Sequence, residues 1–303
     1  MDGSQRSLRV ELALASGAVI AGCLSLVAAG APLRMPLINF VALLIGAAGL
    51  MVLRGLSRLL PAGRPVDGML VVASFAVPLT ALVGAGTDGV VRWVVVGGLT
   101  LQPAMLIVPP LAVSFALRPS LVRAAAVAVA AVGTALQPDP AAAAMLASAS
   151  ALALFRSPSR VAGAIAALSS AVAFAVALAT APVLPPTPYV EGVLPAALAS
   201  GAATGVLALA GALLLFMPAL PLRRSRIRTE QLAFIGLWLA CFGAALTGDY
   251  PTPVIGFGGS AVVGYILSVG LLSRPSRSAA ATARPPSHAP GDGRPEFEEC
   301  RVA

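Results

Sequence analysis

The sequence predicts an all-α integral membrane protein, a polytopic bundle of about ten transmembrane helices with both termini in the cytoplasm. Of its 303 residues, 58% are hydrophobic and 11% are charged, and the mean hydropathy is +0.92. Soluble domains carry about 25% charged residues, so this composition excludes a soluble fold. The number of helices and their orientation follow from the apolar runs and from the positions of the arginines.

Ten apolar segments occupy the chain up to residue 273, and most are long enough to cross a bilayer. They run over residues 10–30, 36–53, 66–86, 94–117, 119–136, 139–155, 161–181, 192–221, 231–248 and 254–273. The fifth and sixth are short, which leaves the helix count around 119–155 open. We take 1–273 as one transmembrane domain. Residues 274–303 are rich in Pro, Ser, Ala, Gly and Arg, which predicts a disordered cytoplasmic tail.

The arginines indicate the orientation. The chain has no lysine, and with the N-terminus inside, all of its 20 basic residues except Arg34 and Arg92 fall on the cytoplasmic side. Short loops of membrane proteins carry this bias. Since the arginines sit in short clusters between apolar runs, the net charge of +8 does not indicate a nucleic-acid partner.

The cysteines and the histidine predict no metal site and no disulfide framework. Cys23 and Cys241 lie in apolar runs, Cys300 lies in the tail, and no CxxC or Cys/His grouping occurs. The single histidine, His288, also lies in the tail.

The last apolar segment has two halves of opposite character. Residues 249–253 read Asp-Tyr-Pro-Thr-Pro and cannot form a helix interior, because each proline removes a backbone donor. Residues 261–272 are apolar and predict the last membrane helix. We expect a polar re-entry on one membrane face before that helix; a plain loop is the alternative.

Few polar residues fall at the predicted outer ends of the spans. The acids there are Asp88, Asp139, Glu191 and Asp249, and Arg92 is the main cation. Gln102 and Gln137 each precede a proline. Charges near lipid are costly, so such residues face a cavity or pair with each other. The alternative is that they are ordinary residues of interfacial loops.

Four stretches, in this order along the chain, resemble motifs of the SEDS family (shape, elongation, division and sporulation), whose members include FtsW, RodA and SpoVE. Residues 88–103 resemble its G-x-x-R-W…Q-P-S-E stretch, and residues 136–139 resemble its Q-P-D motif. Residues 184–185 are similar to the start of its L-P-x-x-H-T-D-F segment, and residues 253–260 to its closing P-x-x-S-x-G-G-S segment.

The resemblance implies a multi-pass protein of the bacterial inner membrane that acts in cell-wall biogenesis, in cell division or cell shape. Family members are peptidoglycan glycosyltransferases that polymerise the lipid-linked precursor lipid II on the outer membrane face. They usually act with a class B penicillin-binding protein. The resemblance also makes a divalent cation a candidate cofactor.

The family's catalytic acid is an aspartate between the seventh and eighth spans. That loop holds no aspartate here, so Glu191 is the candidate catalytic base, since a base must reach the attacking hydroxyl. The candidate substrate-binding residues share the outer side of the membrane; they are Arg92, Gln102, Gln137, Asp139, Asp249 and Ser260.

The chain also departs from the family pattern. Met105 and Val108 stand where the motif Q-P-S-E-x-x-K has its glutamate and lysine, and Glu191 lies one residue beyond the aspartate position. Enzymatic activity therefore stays open. The hypotheses are a glycosyltransferase, a non-catalytic scaffold or regulator of cell-wall synthesis, and a lipid flippase or transporter on an unrelated fold.

Overall fold

A computed structural model describes residues 3–59, 64–87, 90–182, 185–221, 226–248 and 250–273. The first half holds α1 (Gly3–Ala28), α2 (Arg34–Leu59), α3 (Arg64–Ser74), α4 (Ala76–Val83), β1 (Ala85–Thr87), β2 (Val90–Val96), β3 (Leu99–Leu101), α5 (Pro103–Leu117) and α6 (Leu121–Leu136). The second half holds α7 (Pro140–Arg156), α8 (Arg160–Thr180), α9 (Val193–Ser200), α10 (Ala202–Phe216), a 3-10 turn (Met217–Ala219), α11 (Thr229–Leu246) and α12 (Gly259–Leu272).

The predicted helical membrane bundle is confirmed. Within the described ranges the helices make ten passes when α3 is joined to α4 and α9 to α10. Six of these passes are long and apolar enough to cross a membrane by themselves, and the helices α5, α6, α7 and α12 are apolar but shorter. The protein is therefore a multi-pass membrane protein, and its two uncertain segments are the separate helices α6 and α7.

The predicted span 94–117 is wrong over its first third. Residues 90–101 form the antiparallel hairpin β2–β3, with Val94 opposite Leu101 and Val96 opposite Leu99. Gly97 and Gly98 have φ of 57° and 81°, the backbone that a two-residue hairpin turn requires. A valine-rich apolar run fits a strand as well as a helix, so hydropathy alone does not locate this boundary.

Two other predicted spans are interrupted. The segment 192–221 is divided at Gly201, whose φ of 143° lies outside the helical region and separates α9 from α10. The segment 66–86 is divided between Ser74 and Ala76. The last helix begins at Gly259, so 250–258 is non-helical and 259–272 is helical, as the two-part character of that stretch predicts. The predicted tail, 274–303, lies outside the described residues.

The core lies where α5, α7, α11 and α12 pack together. Trp238 and Tyr265 are fully buried, and their ring centroids lie 5.4 Å apart in an edge-to-face arrangement. The Tyr265 hydroxyl donates to the Leu215 carbonyl at 3.0 Å. A Cβ at Gly264 would lie 2.0 Å from the Met105 carbonyl oxygen, so α12 approaches α5 backbone to backbone. This contact brings the first turns of α5 and α12 together at the end of the bundle that the sequence predicts to face outward, called the outer end below.

Candidate functional site

Asp139 is a buried carboxylate at the start of α7. Its side chain is 1% exposed. Oδ1 accepts a hydrogen bond from the Ala142 N–H at 3.1 Å, which caps the helix. Oδ2 accepts a hydrogen bond from Gln102 Nε2 at 3.1 Å. Both carboxylate oxygens are therefore engaged within the protein.

Gln102 joins three helices at one point. It precedes Pro103 at the N-cap position of α5, and its side-chain amide reaches Asp139 of α7. Its backbone N–H donates to Ser260 Oγ at 2.9 Å, and Ser260 lies in the first turn of α12. The predicted residues Gln102, Asp139 and Ser260 thus form one hydrogen-bonded group.

Arg92 is buried beside this group. Its side chain, on strand β2, is 5% exposed, and its guanidinium donates to the carbonyl of Pro138. The guanidinium carbon lies 5.5 Å from the centroid of the Tyr250 ring, within cation–π range. Arg92 Nε is buried and has no hydrogen-bond partner among the described residues, so one N–H of this cation remains available.

Gln137 precedes Pro138, whose carbonyl Arg92 binds, but the Gln137 side chain points elsewhere. It is fully buried, and its side-chain amide donates to the carbonyl of Val77 in α4. Its Oε1 has no hydrogen-bond partner among the described residues. Gln137 therefore fixes the end of α6 against α4, while its acceptor atom stays open.

Glu191 lies in the α8–α9 loop, which pairs with the segment preceding α12. Glu191 forms an antiparallel bridge with Pro251, and the Thr252 N–H donates to the Val190 carbonyl at 2.9 Å. Tyr189 and Val254, one in each paired stretch, both have φ of 67°. This left-handed backbone is unfavourable for a β-branched residue, and such strain is found at functional sites.

The Glu191 carboxylate is half-buried and held by its own loop. Its Oε2 accepts a hydrogen bond from the Thr187 N–H at 2.7 Å. Burial raises the pKa of Glu191, while the hydrogen bonds from Thr187 and the charge of Arg92 lower the pKa by less than burial raises it. Arg92 and Glu191 lie on either side of Tyr250 and Pro251. Arg92 stacks on Tyr250, and Glu191 pairs with Pro251.

Sequence reasoning missed Asn39, which holds this re-entrant segment in place. Asn39 is fully buried in α2. Its Nδ2 donates to the Gly256 carbonyl at 2.9 Å, and its Oδ1 accepts from the Gly258 N–H at 3.0 Å. A lone amide inside an apolar span is a signal that it has a specific partner, and that signal was available in residues 36–53.

The predicted site residues therefore fall into distinct groups. Gln102, Asp139 and Ser260 are bonded together, Arg92 is attached next to them through Pro138, and Glu191 lies across Tyr250 and Pro251. The candidate Asp249, like Asp88, lies outside the described residues.

Among the described residues no three His, Cys, Asp or Glu side chains converge. The described residues therefore hold no cluster of ligands that fits a divalent cation.

No family model and no curated protein matches the chain, but solved structures do. A single-residue mutant of the rod shape determining protein RodA of Thermus thermophilus shares 24% identity and a TM-score of 0.60, over 86% of this chain and 94% of that one. RodA without that mutation shares 23% identity and a TM-score of 0.58 over the same shares. A chain from a structure of a peptidoglycan synthase complex that coordinates polymerization and crosslinking shares 21% identity and a TM-score of 0.58, over 88% and 97%.

These similarities show the fold class, a multi-pass helical membrane bundle. The particular fold is like that of RodA, which this chain matches over 86% of its length. The fold expected from the sequence motifs is thus confirmed.

Proposed function

We propose that the chain is a divergent FtsW/RodA-like protein of the bacterial inner membrane that polymerises lipid II on the outer membrane face. The observation that carries this proposal is the position of Glu191, a half-buried carboxylate within electrostatic range of Arg92, in the loop between the seventh and eighth passes. An acid with a raised pKa next to a cation suits proton abstraction near an anionic leaving group.

In the proposed reaction, the hydroxyl oxygen of the acceptor sugar attacks the anomeric carbon of the donor. Glu191 takes the hydroxyl proton on Oε1, because Oε2 is occupied by Thr187. The bond between the anomeric carbon and the phosphate oxygen breaks, and the lipid pyrophosphate leaves with the negative charge. Arg92 offsets that charge through its available N–H.

The other predicted residues position this arrangement. Gln102, Asp139 and Ser260 fix the outer ends of α5, α7 and α12 relative to one another. Gln137, which is fully buried, holds the end of α6 against α4, and Asp249 is proposed to contact the substrate next to Tyr250. No step is assigned to a metal ion.

A class B penicillin-binding protein is the proposed partner. The support is the similarity to a chain from a peptidoglycan synthase complex that couples polymerization with crosslinking. A polymerase that releases glycan strands on the outer face needs a crosslinking activity on the same side.

One observation favours a second candidate, a non-catalytic scaffold or regulator of cell-wall synthesis. Met105 and Val108, at the glutamate and lysine positions of the family motif, are 3% and 0% exposed and belong to the hydrophobic core. The charged pair has thus been replaced by packed apolar side chains. The hypothesis of a lipid flippase or transporter on an unrelated fold is wrong, because the fold is like that of RodA.

The deciding experiment is lipid II polymerisation by the purified protein and its Glu191→Gln variant. We expect the variant to lose about 100- to 10,000-fold in rate, the usual contribution of a general base. Tyr189→Phe, in the same loop, is the matched control; it removes only the weak hydroxyl contact to the Ala29 carbonyl at 3.5 Å and keeps full activity.

The two candidates give opposite results. A folded wild type that polymerises nothing, together with a Glu191→Gln variant that still supports growth in cells, establishes the scaffold. A variant as active as the wild type removes Glu191 from the reaction.

A further inference from the structure

A concave region lies at the predicted cytoplasmic end of the bundle, opposite the candidate site. It is a cavity of about 1010 Å³ between the inner ends of α5, α7 and α11, at the upper end of the sizes typical of ligand sites. Four arginines line it: Arg118, Arg156, Arg226 and Arg228. This cavity takes no part in the function proposed above.

The charge of the lining is strongly positive. Its one acid, Glu230, is 3% exposed and forms an ion pair with Arg228 at 3.1 Å. Arg118, Arg156 and Arg226 form no ion pair with any residue that the structure describes. Three guanidinium charges around one cavity thus remain uncompensated within the described ranges.

The arginines also retain donors. Arg156 Nη1 donates to the Ile227 carbonyl at 2.6 Å, which ties the end of α7 to the segment before α11 and leaves its other N–H groups available. Arg118 Nε is buried without a hydrogen-bond partner among the described residues. The N-terminus of α11 at Thr229 adds its partial positive charge. Planar guanidinium groups match the geometry of phosphate oxygens.

Apart from Thr229 and Glu230, the remaining lining is apolar. Leu117 and Ile227 lie among the arginines, and residues next to the lining, Phe155 and Leu121, are 77% and 58% exposed. In a membrane protein such exposed side chains face lipid. The cavity therefore combines anion donors with walls suited to an apolar body.

We propose that this cavity binds the phosphate headgroup of an anionic phospholipid from the inner leaflet. The arginines hold the phosphate, and the apolar walls contact the glycerol and the first acyl carbons. A soluble phosphate leaves those walls uncovered, so the lipid is the better match.

Native mass spectrometry of the full-length protein in detergent, titrated with phosphatidylglycerol, tests the site. Juxtamembrane arginines contribute about 1 kcal/mol each, or about fivefold in affinity, so Arg118→Gln/Arg156→Gln is expected to weaken binding about 25-fold. The control Arg9→Gln/Arg160→Gln removes the same charge from exposed inner positions outside the cavity and leaves binding within twofold. The single variant Arg226→Gln, at an exposed position, is expected to weaken binding about fivefold. It tests the site even if the double variant misfolds.

Three results overturn the proposal. Equal losses in the double variant and its control show a general charge effect. Inorganic phosphate that binds as tightly as phosphatidylglycerol shows a soluble ligand. Phosphatidylglycerol binding that becomes sensitive to Arg118→Gln/Arg156→Gln only after removal of residues 274–303 shows that the acidic end of the tail, which contains Glu296, Glu298 and Glu299, occupies the cavity.

Discussion

At the outer end of the bundle, Asn39 and Asp139 each make two hydrogen bonds through the side chain, and both are fully buried or nearly so. At the inner end, Arg118 and Arg226 line a cavity and make no side-chain hydrogen bond with the residues that the structure describes. The outer end has few polar side chains, and its backbone is irregular. The inner end has many charges, and the links 118–120 and 157–159 that join its helices are short.

The difference follows from where the backbone leaves the helical conformation. Residues 250–258 are non-helical and surrounded by helices, so their N–H and C=O groups need partners from within the protein. Asn39 supplies two of these partners. Among the described residues, Arg118 and Arg226 satisfy no such need, and their donors are available to other molecules. Outer substitutions should therefore affect stability, and inner cavity substitutions should affect binding.

The largest effect on stability is expected for Asn39→Leu. The change leaves the Gly256 carbonyl and the Gly258 N–H buried without a partner, which costs about 1–3 kcal/mol for each group, or about 2–6 kcal/mol together. Ser25→Ala is the control, since Ser25 makes one bond, to the Thr204 carbonyl at 3.2 Å, worth about 1 kcal/mol. Thermal unfolding in detergent measures both, and equal losses would contradict the special role of Asn39.

Two glycines in α12 allow the outer and inner ends of the bundle to be compared within one helix. A Cβ at Gly264 meets the Met105 backbone oxygen, whereas a Cβ at Gly270 meets Leu50 Cδ1 at 2.2 Å. A leucine side chain can rotate away, but the α5 backbone cannot. We expect Gly264→Ala to destabilise by about 3 kcal/mol and Gly270→Ala by about 1 kcal/mol. Unfolding midpoints in that order support the rigid outer contact; the reverse order contradicts it.

The ion pair between Arg123 and Asp67 separates a structural arginine at the inner end from the arginines that line the cavity. Arg123 is 4% exposed and donates to Asp67 at 2.7 Å and to the Ser114 carbonyl at 2.6 Å. Asp67→Asn removes the opposite charge from a buried cation and should cost about 1.5–3 kcal/mol.

Arg226→Gln is the comparison for that change and should alter the free energy of unfolding by less than about 0.5 kcal/mol. A large loss of stability in Arg226→Gln would show that the cavity arginines are structural, which would remove the difference between the two ends.

The smallest effect is the pH dependence due to Glu191. Because burial raises the pKa of Glu191 above its unfolded value, the protonated form is favoured in the fold. Its contribution to stability is complete below the unfolded pKa, about 4.3, and is lost as the pH rises through the folded pKa. Unfolding midpoints of the wild type relative to Glu191→Gln should therefore fall as the pH increases from about 4 to about 8. A constant difference would contradict the raised pKa.

Much of the fold was predictable because apolar length and arginine placement act over whole segments. The boundaries of α6 and α7 agree closely with the predicted segments, since Asp139 and Pro140 are a strong start signal for a helix. The hairpin at 90–101 was missed because the valines there fit either structure. The Gly97-Gly98 pair was the local signal that indicated the turn.

The arrangement of the candidate site was only partly predictable. The sequence indicated that Gln102 needs a polar partner, but it did not indicate Asp139 as that partner. Asn39 and Gly256 are separated by 217 positions, and no local pattern marks such a contact. The surroundings of Glu191 depend on the pairing of two loops, which is a property of the folded chain alone.

The short helix α6 has a consequence for the surrounding lipid. Its 16 residues span about 24 Å at 1.5 Å per residue, against a hydrocarbon layer of about 30 Å. Leu121 and Leu136, at its two ends, are 58% and 57% exposed, so this side of the protein meets acyl chains directly. We expect the resulting hydrophobic mismatch to thin the bilayer beside α6 and to favour lipids with shorter tails along this side of the protein.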